Sequence, residues 1–469
     1  MGNCTINIRP LNIRSFGIVA AMLFTNGGAW AQEIDPPDTA AVESEAATQA
    51  RPAVLYVETP LLLQPDAEPQ LVLPFQPGNP EDDPEFGARM ASIDLYSDSV
   101  TELESGNGVW DVGLVELLAS LADLQQQQGQ HLEAINSFDR AIHVNRINSG
   151  LHTAEQIPLI EGLIESHMAV GDWGRADLFY NYLFYVQQKA YGLDDPRMIS
   201  ELDRLGRWNI QAFNIGYGDA LGVRLAAAQM LFLTGARMVI KHFGKNDERF
   251  VDFLLSIANS AYLVSLNPDL AVEASQSRYM EDLERLRLSL NQRGGSRPRG
   301  FNAGKDALTE IATYYSTTPE STYEFAEAVT NLGDWYLMFR YRQTAARNYQ
   351  EAWDLLSQQE NGGELIQQLF GQVKPIPTFF ASETGELAAR RTALDDGAKL
   401  NFDSADFAFD VTENGVVRDI KLLSEETDAN RSQLLQVRRV VRDSLFRPVV
   451  KDGKRVRSDN LQFRFRYWY

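Results

Sequence analysis

Cysteine is nearly absent from this chain of 469 residues, and histidine is scarce. The one cysteine is Cys4, and none of the five histidines lies in an HExxH pattern or in a Cys/His spacing typical of zinc sites. A single thiol cannot form an intramolecular disulfide, so the stability of the fold must come from packing. These shortages predict no metal site, no thiol chemistry and no disulfide framework.

The signatures of common catalytic sites are also missing. No Gly-x-Ser-x-Gly elbow occurs. Gly304-Lys305 resembles the end of a phosphate-binding loop, but Arg299 occupies the position of the first glycine of that motif and Asp306 the position of its Ser/Thr. Gly216-Tyr-Gly218 lacks the third glycine of a dinucleotide fingerprint. We therefore predict no catalytic residues, no cofactor and no small-molecule substrate. An enzyme with a site assembled from dispersed residues is the alternative.

The net charge of −21 is unevenly distributed along the chain. Residues 32–104 carry 16 acidic and 2 basic side chains, whereas residues 431–469 carry 11 basic and 3 acidic ones. An acidic first half disfavours general binding to polyanions, so we predict no nucleic-acid partner. For the basic C-terminus we expect a solvated sheet face, with contact to an anionic partner as the alternative.

The first 31 residues have the pattern of a secretory signal. Arg9 and Arg14 precede the short apolar run Phe16–Phe24, and Ala29-Trp-Ala31 fits the small-x-small cleavage pattern. The apolar run is about half as long as the ~20 residues that a membrane-spanning helix needs. We predict a cleaved signal peptide, export to the periplasm and a mature chain that begins at Gln32. Retention of the segment as a membrane anchor is the alternative.

Proline is concentrated just after this signal. Residues 32–85 hold 10 of the 19 prolines, interspersed with Asp and Glu. Proline at this density disfavours helix and favours extended chain. The short apolar pieces Val54–Val57 and Leu71–Leu73 are compatible with strands or docking patches, but the composition favours an acidic, proline-rich spacer over residues 32–105.

Helical periodicity begins near Gly106 and then repeats. One set of apolar and small positions recurs 42 residues later: Leu118, Leu121, Gly129, Ala134 and Phe138 correspond to Ile160, Leu163, Gly171, Ala176 and Tyr180. Small alanines allow two helices to approach closely, and the aromatic side chain fills the gap between them. Self-similarity at a fixed period indicates an array of helix pairs.

A further copy carries the clearest family resemblance. Leu332-Gly333-Asp-Trp-Tyr336 is followed by Ala345, Tyr349 and Ala352. This spacing resembles the tetratricopeptide (TPR) family and implies an array over residues 106–360. In that family the first helix of each pair lines a concave face. The resemblance therefore implies partner-binding positions at Asp123 and Gln126 in the first matching repeat, and at Asp334 in the last.

The aromatic residues of the array and the segment after it are less specific. Trp335 and the other array tryptophans are expected to fill gaps between helices, with a peptide groove as the alternative. Gly362-Gly363 and Pro375-Ile-Pro377 then predict a linker over residues 361–394.

The end of the chain alternates strictly. One set of residues is apolar and the other mostly basic: Leu461, Phe463, Phe465, Tyr467 and Tyr469 against Gln462, Arg464, Arg466 and Trp468. A period of two predicts a β-strand with one apolar face. Upstream, the sequence predicts a strand ending at Val411, the hairpin turn Glu413-Asn-Gly415, a second strand from Val416 to Leu422, and an amphipathic helix over residues 434–445. Residues 395–469 thus predict a β-β-α-β module.

This module resembles the C-terminal domain of TonB-type energy transducers. The matching features are the Asn-Gly turn, Phe446-x-Pro448, Asp452-Gly453-Lys-x-Val456 and the terminal alternating strand. In that family the domain binds partners in the periplasm by pairing a strand with a receptor segment. The resemblance implies partner-binding roles for Arg464, Arg466 and Trp468 on the basic strand face.

The predicted fold class is mainly α, with a TPR-like α-solenoid followed by a small α+β domain that resembles the TonB C-terminal domain. The predicted function is an exported periplasmic scaffold or adaptor that binds envelope proteins or peptides. The alternative is an energy-coupling accessory in transport that engages outer-membrane receptors.

Overall fold

The computed structural model describes residues 54–63, 83–218, 220–268, 270, 300–379 and 400–469. The predicted signal peptide over residues 1–31 lies outside these ranges. So do residues 32–53 and 64–82 of the predicted spacer and residues 380–394 of the predicted linker. The chain is mainly helical, with a small sheet at its C-terminal end.

Helices occupy most of the described residues between 86 and 370. They are α1 (Phe86–Asn107), α2 (Leu114–Gln127), α3 (His131–Ser149), α4 (Gln156–Ala169), α5 (Trp173–Tyr191), α6 (Met198–Asn214), α7 (Leu221–Phe243), α8 (Glu248–Leu266), α9 (Phe301–Thr317), α10 (Thr322–Met338), α11 (Arg342–Ser357) and α12 (Gly362–Phe370); a further helix, α13 (Arg431–Asp443), belongs to the C-terminal domain. Each helix from α2 to α12 packs against its neighbours in chain order. The described helices of the predicted array are therefore stacked in chain order.

Helix boundaries confirm the predicted period. α2 and α3 begin at Leu114 and His131, and α4 and α5 begin 42 residues later at Gln156 and Trp173. Helices α2–α11 form successive pairs. The first helices of the first two pairs, α2 and α4, also contact each other. This arrangement is typical of a solenoid, in which each repeat buries its apolar face against the next.

Close contacts between a glycine and an aromatic ring hold the two helices of a pair together. A Cβ atom on Gly333 of α10 would lie 2.7 Å from Cε1 of Tyr349 on α11, and one on Gly206 of α6 would lie 2.5 Å from Cε1 of Phe232 on α7. Both rings are buried. The glycines therefore create the space in which the aromatic side chains pack.

The N-terminal boundary of the array differs from the predicted one. Residues 86–105, which the sequence assigns to the spacer, form α1, and Val100 of this helix is buried in the same core as Leu118 of α2. The last proline of the proline-rich stretch is Pro84, immediately before this helix. The end of the proline-rich stretch at Pro84 therefore predicts the start of the array more accurately than the onset of helical periodicity near Gly106.

Two array helices are long and apolar enough to cross a membrane by length and composition alone. These are α7 and α8, with mean hydropathies of 1.4 and 1.2. In the fold they pack against each other and against α6 and α9, and Leu225, Phe232 and Phe253 on them are buried in the core of the array. Their apolar character is accounted for by burial between neighbouring helices.

The C-terminal domain contains the predicted β-β-α-β order together with additional short strands. The strands are β1 (Tyr56–Val57), β2 (Leu61–Leu62), β3 (Lys374–Pro375), β4 (Phe402–Val411), β5 (Val417–Leu422), β6 (Phe446–Arg447), β7 (Val449–Lys451), β8 (Lys454–Val456) and β9 (Ser458–Trp468). The main sheet has the order β1-β9-β4-β5, and β2 also pairs with β9, so β9 is a central strand. All of these pairings are antiparallel.

Burial confirms the predicted faces of β9. Phe463, Phe465 and Tyr467 are buried in the core of this domain, together with Val437 and Val441 of α13. Helix α13 thus covers the apolar face of the sheet. At the turn before β5, Gly415 has a φ of +71°, a conformation that glycine adopts without penalty.

Residues 54–63 do not belong to a spacer. They form β1 and β2 along the outer edge of β9, and the backbone N–H of Val54 donates to Oε1 of Gln436 on α13 at 3.0 Å. The sequence interpretation was wrong here because a two-residue strand carries too little periodicity to stand out from a proline-rich background.

The predicted linker over residues 361–394 is also structured in its described part. Residues 362–370 form α12, and β3 pairs with β6 of the C-terminal domain. Val373 is buried in the core of the C-terminal domain, whereas Val450 of β7 is buried in the core of the array. Because each unit buries a side chain from across the boundary, the two units are packed against each other.

Candidate functional site

The predicted partner-binding positions on α2 have different surroundings. Gln126 donates from Nε2 to the carbonyl oxygen of Gly162 at 2.6 Å and to Oγ of Ser166 at 2.8 Å. Its amide therefore ties the first helices of two neighbouring pairs together. Asp123 is exposed to solvent, and partial desolvation of its carboxyl group by the surrounding atoms raises the pKa of that group. Of the two positions, Asp123 is the one that a partner can reach.

A cleft farther along the array presents a stronger candidate surface. It has a volume of about 530 Å³ between α6 and α8, and its lining includes Arg197, Asp203, Arg207, Phe243, Arg249 and Asp252. The Arg249 guanidinium lies 3.9 Å from the centroid of the Phe243 ring, which is 47% exposed. An exposed aromatic ring between charges of both signs suits recognition of a polypeptide segment.

Asp334 is not an exposed groove position, contrary to the prediction. Its side chain is completely buried, and it pairs with Arg447 of β6. Nη2 of Arg447 donates to Oδ2 of Asp334 at 2.6 Å, and Nε donates to Oδ1 at 3.1 Å. The family resemblance placed Asp334 correctly on the first helix of a pair, α10, but the C-terminal domain covers that part of the helix.

A small polar network surrounds this ion pair. The hydroxyl of Tyr349 donates to Oδ1 of Asp334 at 2.7 Å, and Arg447 also donates from Nη2 to Oγ1 of Thr378 at 2.8 Å and to Oδ1 of Asn331 at 3.1 Å. Burial raises the pKa of Tyr349 well above its ordinary value, and the Asp334 carboxylate raises it further. The tyrosine therefore remains a neutral hydrogen-bond donor. The network joins α10, α11, residue 378 and the C-terminal domain.

The basic face of β9 is paired within the chain. Arg464 makes a two-point ion pair with Asp406 of β4, with both nitrogen–oxygen distances at 2.8 Å. Arg466 forms an ion pair with Glu58, and Nε1 of Trp468 donates to Oε1 of Glu58 at 2.9 Å. Carboxylates of this chain thus neutralise Arg464 and Arg466, and most of the Trp468 side chain is buried.

Main-chain hydrogen bonds attach residues 54–63 to the edge of β9. The backbone N–H groups of Leu55, Glu58 and Leu63 donate to the carbonyl oxygens of Trp468, Arg466 and Gln462, each at 2.8 Å. Bonds of this kind hold an extended segment in the manner of an added strand. We regard this edge, together with the Glu58 contacts, as the candidate functional site.

Reasoning from the sequence missed two residues with buried polar contacts, Glu58 in this site and Arg447 at the boundary between the two units. Glu58 lies in a stretch rich in acidic residues, and nothing local separates it from its neighbours. Arg447 stands inside Phe446-Arg-Pro448, a motif that was used only as a feature of the family resemblance. Its signal was an arginine between buried apolar residues, since a buried guanidinium requires a carboxylate partner.

The described residues offer no metal centre. No group of three or more His, Cys, Asp or Glu side chains is arranged to hold a metal ion in residues 54–63, 83–218, 220–268, 300–379 and 400–469. The chemistry that these surfaces provide consists of main-chain hydrogen bonds, ion pairs and apolar contact.

Comparisons with known proteins give distant matches. No protein-family model matches the chain, and no curated protein matches it significantly. The crystal structure of BtubC (BKLC) from P. vanneervenii is 13% identical, with a TM-score of 0.36, and the match covers 59% of this chain and 92% of that one.

Two other solved structures match with similar coverage. A crystal structure from Podosopora anserina, described as nearly identical TPR-like repeats of a kinesin light chain, is 12% identical, with a TM-score of 0.36. The match covers 54% of this chain and 99% of that one. Rap protein complexed with Competence and Sporulation Factor is 14% identical, with a TM-score of 0.26 and coverages of 60% and 73%. TPR-like repeat proteins are therefore among the structural neighbours. At these TM-scores the likeness carries no argument about function, and the assignment of helix pairs rests on the boundaries of this chain's own helices.

Proposed function

We propose that this protein is an interaction scaffold that binds other proteins or peptides through the helical array and through the edge of its C-terminal sheet. The observation that carries the proposal is the pairing of residues 54–63 with β9. An edge that holds an extended segment of its own chain by main-chain hydrogen bonds has the geometry that β-augmentation requires. The TonB-like identity of the domain is part of this proposal.

The contact between the two units supports a scaffold role. The buried pair of Asp334 and Arg447 and the exchanged side chains of Val373 and Val450 join the array to the C-terminal domain. A partner in the cleft between α6 and α8 and a partner strand on β9 would be held at a defined separation. A scaffold needs such a defined geometry, because it converts two separate binding events into one assembly.

The cellular location is a further part of the proposal. A signal peptide over residues 1–31 and export to the periplasm would place the binding surfaces among proteins of the cell envelope. Amino-terminal sequencing of the protein from a periplasmic extract tests this, and a mature chain that begins at Gln32 is the expected result. Recovery of an uncleaved chain in the inner membrane would instead favour an energy-coupling accessory.

Crosslinking in cells, followed by capture and mass spectrometry, tests the scaffold function. The double variant Arg207→Glu/Arg249→Glu reverses two charges of the cleft, and Arg347→Glu reverses an exposed charge on α11 as its matched control. We expect the cleft variant to lose a specific set of captured envelope proteins that the control retains. If the wild-type chain captures no protein above background, or if both variants capture the same set as the wild type, the array does not act as proposed.

A further inference from the structure

The segment on the edge of β9 has two distinct faces. Val57 and Leu62 pack against the core of the C-terminal domain, opposite Tyr467 and Phe463. The Glu58 carboxylate lies on the other face, where it contacts Arg466 and Trp468. The edge therefore recognises apolar side chains on one face and one carboxylate on the other.

The fit of this segment is interrupted in the middle. Val57 lies opposite Tyr467 and Leu61 lies opposite Arg464, so four steps along the segment match three steps along β9. The extra residue is accommodated around Pro60, which has no backbone N–H to donate. The segment therefore forms two strands of two residues each, whereas β9 has eleven residues.

The interruption also explains how both apolar residues reach the core. Val57 and Leu62 are five positions apart, and in a regular strand an odd separation places side chains on opposite faces. The extra residue restores the alternation, so Leu62 faces the core and Leu61 is 49% exposed. A segment without the extra residue would keep both contacts and would add hydrogen bonds to the ladder.

From these contacts we propose that the edge of β9 is an exchangeable strand-binding site, which residues 54–63 occupy within the chain until a partner segment replaces them. The partner is an extended, antiparallel segment of another protein. It carries an acidic residue that reaches Arg466, flanked by apolar residues that fill the positions of Val57 and Leu62. This inference rests on the proposed function and names the class of segment that the scaffold takes.

Two synthetic peptides probe the site directly. One has the sequence of residues 53–64, and the other has the same sequence without Pro60, which keeps Val57, Glu58 and Leu62 opposite their present neighbours. Both carry a fluorescent label for anisotropy measurements with the full-length chain. We expect the peptide without Pro60 to bind several-fold more tightly than the native sequence, since it forms a continuous ladder.

Charge reversal in the protein tests whether the resident segment competes. Glu58→Arg places two guanidinium groups together and should release residues 54–63, whereas Glu360→Arg changes an exposed position in the turn before α12 and serves as the control. We expect Glu58→Arg to bind either peptide roughly tenfold or more tightly than the wild type, because a tethered competitor has been removed. Equal affinities for wild type and Glu58→Arg, or no binding by any form, would overturn the proposal.

A reversible lock provides a second readout in case Glu58→Arg does not fold. Leu61 and Arg464 lie directly opposite each other, so Leu61→Cys/Arg464→Cys in a Cys4→Ser background can form a cross-strand disulfide. Oxidation should abolish peptide binding, and reduction should restore it. Unchanged binding on oxidation would overturn the proposal. If partners are captured normally in cells but the peptides do not bind, the result counts against the strand site alone. If the peptides bind but no partner is captured in cells, the result counts against the scaffold function alone.

Discussion

Arg447 and Asp334, which lie 113 positions apart in the chain, form a two-point ion pair with both side chains buried. One residue belongs to a β-strand of the C-terminal domain and the other to α10 of the array. Their contact attaches the small C-terminal domain to the helical stack. Because a carboxylate and a guanidinium are buried together, each depends on the other for compensation.

Removal of one partner of this pair should destabilise the whole chain. Asp334→Ala leaves the Arg447 guanidinium buried without a carboxylate and leaves the Tyr349 hydroxyl without its acceptor, so we expect a loss of about 3–5 kcal/mol in the free energy of unfolding. Urea denaturation followed by circular dichroism measures the change. Asp459→Ala, which removes one exposed partner of Arg457, is the control and should leave the midpoint unchanged. A midpoint for Asp334→Ala that equals the wild-type value would mean that the pair is not buried.

The faces of β9 predict two substitutions with unequal effects. Phe465→Ala removes a fully buried ring from the core of the C-terminal domain and should cost about 3–5 kcal/mol. Arg464→Ala, one position away, removes a partly exposed ion pair with Asp406 and should cost about 1 kcal/mol or less. Thermal unfolding of both variants checks the difference. Similar losses for the two would contradict the assignment of faces.

The space beside Gly333 can be tested with a single added methyl group. Gly333→Ala would bring a Cβ atom to 2.7 Å from Tyr349, so the ring must move, and we expect a loss of about 1–3 kcal/mol. Gly363→Ala is the matched control, since no atom lies within 4 Å of a Cβ at that position of α12. We expect this control to be neutral or up to ~1 kcal/mol more stable, as alanine favours helix. Chemical denaturation compares the free energies of unfolding of the two variants. A Gly333→Ala variant as stable as the wild type would show that the Tyr349 ring can accommodate the added methyl group.

Glu201 should make the stability of the array depend on pH. Burial raises the pKa of its carboxyl group to about 8, although the Arg204 guanidinium acts against this shift. Oε2 accepts a hydrogen bond from Nε2 of Gln187 at 3.0 Å, whereas Oε1 is buried without a hydrogen-bond partner. The carboxyl group is therefore neutral in the folded chain at neutral pH.

The sign of the effect follows from the unfolded chain, in which this carboxyl group has its ordinary pKa of 4.5. As pH rises from about 4.5 to about 8, the unfolded chain loses the proton and the folded chain keeps it, so the free energy of unfolding decreases. Glu201→Gln removes this dependence and should gain roughly 3–5 kcal/mol relative to the wild type across that interval. Unfolding midpoints at several pH values measure it, with Glu116→Gln on the surface of α2 as the control. A constant difference between Glu201→Gln and wild type at all pH values would contradict the shift.

Local patterns were sufficient for the helix pairs of the array and for the last strand. The 42-residue recurrence of Leu118 and Phe138 as Ile160 and Tyr180 predicted the helix pairs, because the helix period and the small residues at contacts are short-range properties. The strict alternation at the end of the chain predicted β9 and its buried face for the same reason. The surfaces of these elements were harder to predict, since what covers a surface comes from elsewhere in the chain.

By itself, the sequence determined the repeating helices, the β-β-α-β order and the apolar face of the last strand, since each depends on residues that are close together in the chain. Only the tertiary structure decided that Asp334 is buried by Arg447, and that Glu58 meets Arg466 and Trp468. These contacts join positions that are more than 100 residues apart. A charged side chain has the same local pattern whether it faces water or an opposite charge, so its role depends on the partner that folding brings to it.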